Sequence, residues 1–195
     1  VYHEHFSYLS LHTASRILAA AGLRVFDVEE LPTHGGSLRL FGCHVDDARA
    51  TAATVGALLA EESRRGLQRL DTYADFQARA DRIKDDLLEF LIQQKKAGKK
   101  VAAYGAAAKG NTLLNYAGVK PDLLPFVCDA APSKQGKFLP GSHVPVLPPN
   151  ALREQRPDYV LILPWNIAPE IRQQNAHLTA TGTRFVTAVP ELRIT

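Results

Sequence analysis

The chain has 195 residues, of which 46% are hydrophobic, 22% charged and only 8% aromatic, a composition that excludes disorder and fits an ordinary globular protein. Its 23 basic and 20 acidic side chains are interspersed and leave a formal charge of +3, too weak and too mixed for a nucleic-acid footprint. The longest apolar runs, such as 159–165, are far shorter than a bilayer requires, and the first residues show no basic-then-apolar signal, so a cytoplasmic protein without membrane or nucleic-acid partners is expected.

In chain order, the first predicted element is a short helix over 13–21, with Thr13 as N-cap, Ile17 and Leu18 on one face and Gly22 as the stop. Strands at 23–28 and 37–43 follow, joined through the turn-rich 32–36 as an antiparallel hairpin. Ala48, Ala52, Val55, Leu58 and Leu59 recur at helical spacing and predict a helix over 47–65, ended by Gly66. A longer helix over 72–97, about 39 Å at 1.5 Å per residue, carries the stripe Tyr73, Phe76, Ala80, Ile83, Leu87, Phe90 and Leu91 and closes at Gly98.

From Lys99 the pattern changes to short apolar strands, at 100–104, 124–128, 159–163 and 183–189, alternating with helices at 109–117, 149–155 and 168–178. That alternation predicts an α/β fold, a Rossmann-like parallel sheet with helices on both faces. The expected organisation is a helix-hairpin tail of another sheet over 1–43, two bracing helices over 44–98 and the Rossmann-like domain over 99–195. Cys43 and Cys128 form no C-x-x-C pattern and read as small core residues rather than disulfide or zinc ligands. The chain contains no Met and starts at Val1, which gives it the look of an excised segment.

In doubly wound sheets ligands bind at the carboxyl ends of strands, which singles out three loops. Tyr104-Gly105-Ala106-Ala107-Ala108-Lys109-Gly110-Asn111-Thr112 passes from strand to helix through small residues that let backbone N–H groups approach an anion. Its Lys precedes the second Gly and Asn111 stands where a P-loop needs Lys, so triphosphate hydrolysis is excluded; G-x-G-x-x-G is not formed either. A tight turn needing small residues for packing fits the spacing as well as phosphate binding does. In the second loop, Asp129 to Gly141, Lys134 and Lys137 are placed to neutralise a diphosphate while Asp129 accepts from a sugar or base hydroxyl, although an ordinary solvated turn has the same residues. The third, Pro164-Trp165-Asn166, offers an amphipathic ring and an amide at the same edge.

The N-terminal Tyr2-His3-Glu4-His5-Phe6-Ser7-Tyr8 is the densest cluster of proton-handling side chains. His3 and His5 do not form H-E-x-x-H and no third ligand follows at a recognisable spacing, so no metal site is assigned; imidazoles hydrogen-bonded at a domain junction are the structural alternative. On a regular strand Tyr2 and Glu4 would face away from His5, so an active-site role requires the segment to turn.

Taken in order, these motifs, with His34-Gly35-Gly36-Ser37-Leu38-Arg39, Lys134-Gln135-Gly136-Lys137 and 156–166, resemble the S-adenosylmethionine-dependent C-methyltransferases that act on nucleotide-linked keto-sugars in deoxysugar biosynthesis. The resemblance covers nearly the whole chain. It implies a parent enzyme with an N-terminal zinc module, a central S-adenosylmethionine-binding Rossmann domain and a C-terminal Rossmann-like domain that holds a nucleotide-diphosphate sugar. This chain matches the end of the central domain and all of the last, so the zinc cysteines and the methyl-donor loop are expected upstream of Val1 and the isolated fragment is expected to be inactive. By the same resemblance His5 is the general base, with Tyr2 and Glu4 as companions, and Tyr104, Gly105, Lys109, Gly110, Asn111, Thr112, Asp129, Lys134, Lys137, Trp165 and Asn166 line the substrate site. A non-catalytic Rossmann-like nucleotide-binding module is the alternative.

Overall fold

A computed structural model describes residues 6–195, which divide into two compact units, one running to Phe76 and the other comprising Gln77–Thr195. None of the described helices is long and apolar enough to cross a membrane.

In the first unit, helix α1 (Leu11–Ala20) is followed by strands β1 (Leu23–Leu31) and β2 (Ser37–His44), and then by α2 (Ala53–Arg64). The two strands form the expected antiparallel hairpin, paired from Leu23 opposite His44 to Leu31 opposite Ser37, with a bulge between Val25 and Asp27. Leu11, Val25, Val28 and Val55 bring both helices onto β1 in one small core.

Both predicted helix starts shift, for identifiable reasons. The N-cap of α1 is Ser10, not Thr13: the Ser10 side chain accepts from the Thr13 N–H, leaving Leu11 and His12 to find other acceptors. The carboxylate of Glu62 supplies them from α2, at 2.6 Å to Leu11 N and 2.8 Å to His12 N. Glu62 is 5% exposed, and a carboxylate at a helix N-terminus satisfies its orphan donors while meeting the positive end of the helix dipole. Helix α2 begins six residues later than the expected 47 because Arg24 of β1 takes the preceding carbonyls. Its guanidinium donates to Asp47 O at 2.9 Å, to Arg49 O and to Thr51 Oγ1 at 3.0 Å, and carbonyls so occupied are not free to start helical turns.

The second unit takes in all but the first residue of α3 (Phe76–Lys96), which is shorter at its start than expected because Leu70–Tyr73 forms a separate 3-10 turn. Of the predicted stripe only Leu87, Phe90 and Leu91 are buried, while Tyr73 and Phe76 are half exposed. Then come β3 (Val101–Tyr104), α4 (Ala108–Tyr116), β4 (Val127–Cys128), β5 (Val146–Leu147), α5 (Ala151–Gln155), β6 (Tyr159–Ile162), α6 (Ala168–Gln174), β7 (Arg184–Thr187) and β8 (Arg193–Ile194). They form one sheet in the order β5-β4-β3-β6-β7-β8, parallel except for β8. The two-residue strands β5 and β8 had no periodic signal to announce them, and the expected helix over 168–178 breaks after Gln174 into a 3-10 turn.

Strand β3 shows why the sheet reads as unbroken apolar runs: all four of its residues are buried, as a strand covered on both faces requires. Val101 and Ala103 join Leu87, Phe90 and Leu91 of α3 and Leu114 of α4 on one face. Ala102 and Tyr104 join Leu152 of α5 and Ile171 of α6 on the other. The two helices expected to act together as a brace over 44–98 therefore pack in different units, α2 against the hairpin and α3 against the parallel sheet.

The strand order also locates a crevice. From β3 the chain moves outward through β4 and β5, and it returns to the other side of β3 with β6 and β7. The reversal lies between β3 and β6, the edge at which ligands bind in sheets of this kind.

Candidate functional site

The loops after β3 and β6 meet at close range. Gly105, the first residue beyond β3, has φ 87°, and a Cβ placed there would stand 2.5 Å from Pro164 Cδ. One turn into α4, a Cβ on Gly110 would stand 2.5 Å from Leu163 Cβ. The small residues thus let the first turn of α4 pack on the end of β6, the packing role that spacing alone left level with phosphate binding.

Between those two glycines, Lys109 is buried at the carboxyl edge of the sheet. It is 6% exposed, its Nζ donates to Asn166 Oδ1 and lies 4.8 Å from the centroid of the Trp165 ring. Burial pushes its pKa below the ordinary lysine value. Asn166 and the ring satisfy hydrogen bonding and polarisability but not charge, and among the described residues no carboxylate lies within ion-pair distance of Lys109. A buried ammonium without a counter-ion is an electrostatic demand for an anion.

Asn111, two residues on, has a buried Oδ1 with no hydrogen-bond partner. Thr112 bonds back within the helix to Ala108 O at 3.1 Å, and Tyr104 is buried at the end of β3.

Asp129, directly after β4, is 8% exposed. Its Oδ2 accepts from Ala106 N at 2.7 Å and from Lys134 Nζ at 3.2 Å, and its Oδ1 accepts from Ala131 N at 2.8 Å. Lys134 Nζ also donates to Ala106 O at 2.9 Å, and Gln135 donates to the Asp129 carbonyl at 2.9 Å. The expected acceptance from a ligand hydroxyl meets a carboxylate that already holds three donors. Lys137 is exposed and its carbonyl pairs with Val146 N at 2.8 Å, which places it alongside β5.

These side chains lie within a stretch that matches a known family. A family model described as the C-methyltransferase C-terminal domain matches residues 32–190. The chain belongs to the C-methyltransferase family. The C-methyltransferase NovU of Streptomyces niveus is 37% identical over 194 residues, covering 100% of this chain and 46% of that protein. The chain thus spans about half the length of the curated relative it matches.

Of the site residues expected from the sequence, Lys109, Trp165 and Asn166 are brought into mutual contact, and Asp129 and Lys134 form a second group joined to the same turn through Ala106. Tyr2, Glu4 and His5, the expected catalytic residues, lie outside the described residues. Sequence reading missed Ala106 and Gln135 as partners of the site. The only signal for them was an acidic residue closing a buried strand opposite a turn with spare backbone donors. Among the described residues no three His, Cys, Asp or Glu side chains gather to hold a metal ion. Burial pushes the Cys128 thiol up to about 12, which keeps it protonated and removes it as a nucleophile.

Proposed function

We propose that this chain holds the anionic substrate, a nucleotide-diphosphate sugar, of an S-adenosylmethionine-dependent C-methyltransferase that acts on a keto-deoxysugar. The observation that carries the reading is Lys109, an ammonium buried at the switch point of a parallel sheet, beside Trp165 and with no carboxylate in ion-pair distance among the described residues. A phosphate oxygen is an anionic ligand that such a cation can pair with.

In this reading His5, as neutral imidazole, removes the proton from the carbon next to the ketone. Tyr2 donates to the developing enolate oxygen, and Glu4 orients the imidazole and stabilises its charged form. S-adenosylmethionine, when bound, would supply an electrophilic methyl group, its S–CH3 bond breaking to leave S-adenosylhomocysteine. No step involving that donor is assigned to the described residues.

The binding half is tested with deoxythymidine diphosphate, followed by the fluorescence of Trp165, the single tryptophan of the chain. A saturable change that is lost in Lys109→Met is expected; silence at millimolar ligand would sink the reading. For the catalytic half, His5→Asn in the full-length enzyme should abolish methyl transfer and leave nucleotide binding intact. Unchanged turnover removes His5 from the mechanism.

A further inference from the structure

The two lysines of this edge differ in what surrounds them. Lys109 is buried against an aromatic ring and a neutral amide. Lys134 is half exposed and spends its ammonium on protein acceptors, Asp129 Oδ2 at 3.2 Å and Ala106 O at 2.9 Å. Asp129 Oδ2 in turn accepts from the N–H of that same Ala106 at 2.7 Å. One residue's backbone is therefore gripped at both polar groups by one ion pair, the carboxylate on its N–H and the ammonium on its C=O.

Ala106 occupies a decisive place. It follows Gly105, whose positive φ and contact with Pro164 set the exit from β3, and it precedes the first turn of α4, which carries Lys109. Asp129 is fixed independently: its own N–H donates to Leu147 O at 3.1 Å, its Oδ1 takes Ala131 N, and Gln135 holds its carbonyl. Strand β4 and its loop thus transmit a fixed position to the turn after β3.

Resting on the anionic-substrate reading above, we propose that Asp129 and Lys134 are positioning residues that act as one clamp on the Ala106 backbone, aiming the α4 turn and Lys109 at the ligand, rather than ligand contacts themselves. The alternative, in which Lys134 meets a phosphate directly, makes an opposite prediction for Asp129. Removing a negative charge beside an anion site should leave binding unchanged or tighten it if electrostatics alone operates. If the carboxylate is half of a clamp, removing it weakens binding although the site has become more positive.

The experiment measures deoxythymidine diphosphate affinity by calorimetry for the parent chain, Asp129→Asn, Lys134→Met and the double variant, with amide exchange at Ala106 followed by NMR. For a clamp, each single variant weakens binding by roughly tenfold, the loss of one charge-assisted hydrogen bond, the double variant is no weaker than either single one, and Ala106 exchange quickens in both singles. Tighter or unchanged binding in Asp129→Asn alongside weaker binding in Lys134→Met would overturn the proposal. Should Asp129→Asn fail to fold, the exchange rate in Lys134→Met decides, because that side chain is 45% exposed and its loss opens no core. If the parent chain binds no nucleotide, the substrate reading fails by itself, and the clamp then stands or falls on whether Ala106 exchange rises in the variants or stays at the parent rate.

Discussion

Lys109 illustrates what the burial of one charge does to a fold. With its side chain buried and desolvation holding its pKa down, the unfolded chain keeps a proton on this residue over a pH range in which the folded chain releases it. The unfolded state then binds more protons, so stability rises with pH from the lowered folded value up to the ordinary lysine value of about 10.4. Below that window the full penalty of burying the ammonium applies. Lys109→Met keeps the stem and removes the charge, so its unfolding midpoint in urea should exceed that of the parent at pH 7, and the two should converge above a pH of about 11. Equal midpoints at pH 7 would mean that the ammonium reaches solvent. The residue type and its place beyond a strand were legible in the sequence. The missing counter-ion was not, because it depends on which side chains other loops bring near.

At the scale of elements, the joint between β3 and α4 depends on Gly105 for two separate reasons. Gly105 combines φ 87° with a Cβ position 2.5 Å from the rigid ring of Pro164, whereas Gly118 has φ 67° with nothing within 4 Å. Gly118→Ala should therefore cost only the left-handed backbone penalty, about 1–2 kcal/mol. Gly105→Ala should cost that and a further ~1–3 kcal/mol of overpacking. Denaturant midpoints read by Trp165 fluorescence compare the two; equal losses would show that the loop after β6 yields freely. Strands β3 and β6 were legible as short apolar runs between breakers, and α4 was placed within a residue of its true start. The late start of α2 was not legible, since Arg24, a β1 residue, occupies the carbonyls of Asp47 and Arg49 and the hydroxyl of Thr51. Helical periodicity says nothing about a competitor for backbone acceptors that lies more than 20 residues away.

For the whole molecule, the decisive helix is α3. The expected Rossmann-like domain over 99–195 omits it, yet Leu87 and Leu91 are fully buried and Phe90 nearly so in the core on one face of the sheet. Three such side chains contribute about 1.5–3 kcal/mol each, together comparable with the whole stability of a small domain, about 5–15 kcal/mol. A fragment spanning 77–195 should unfold cooperatively by Trp165 fluorescence, and one spanning 99–195 should not. Cooperative unfolding of the shorter piece at a similar midpoint would refute the assignment of α3 to the sheet.

By itself, the sequence determined the α/β class, the hairpin, the parallel sheet covered on both faces and the carboxyl-edge loops, because periodicity and turn chemistry act over a few neighbouring residues. Its ordered motifs also pointed to the C-methyltransferase family. Only the tertiary structure decided that Glu62 closes α1, that α3 belongs to the sheet, and that Lys134 is tied to Asp129 and Ala106 while Lys109 is buried without a carboxylate in ion-pair distance among the described residues. Each of those outcomes is a choice of partner between segments distant in the chain, and such choices are made by where the packed core brings the segments together.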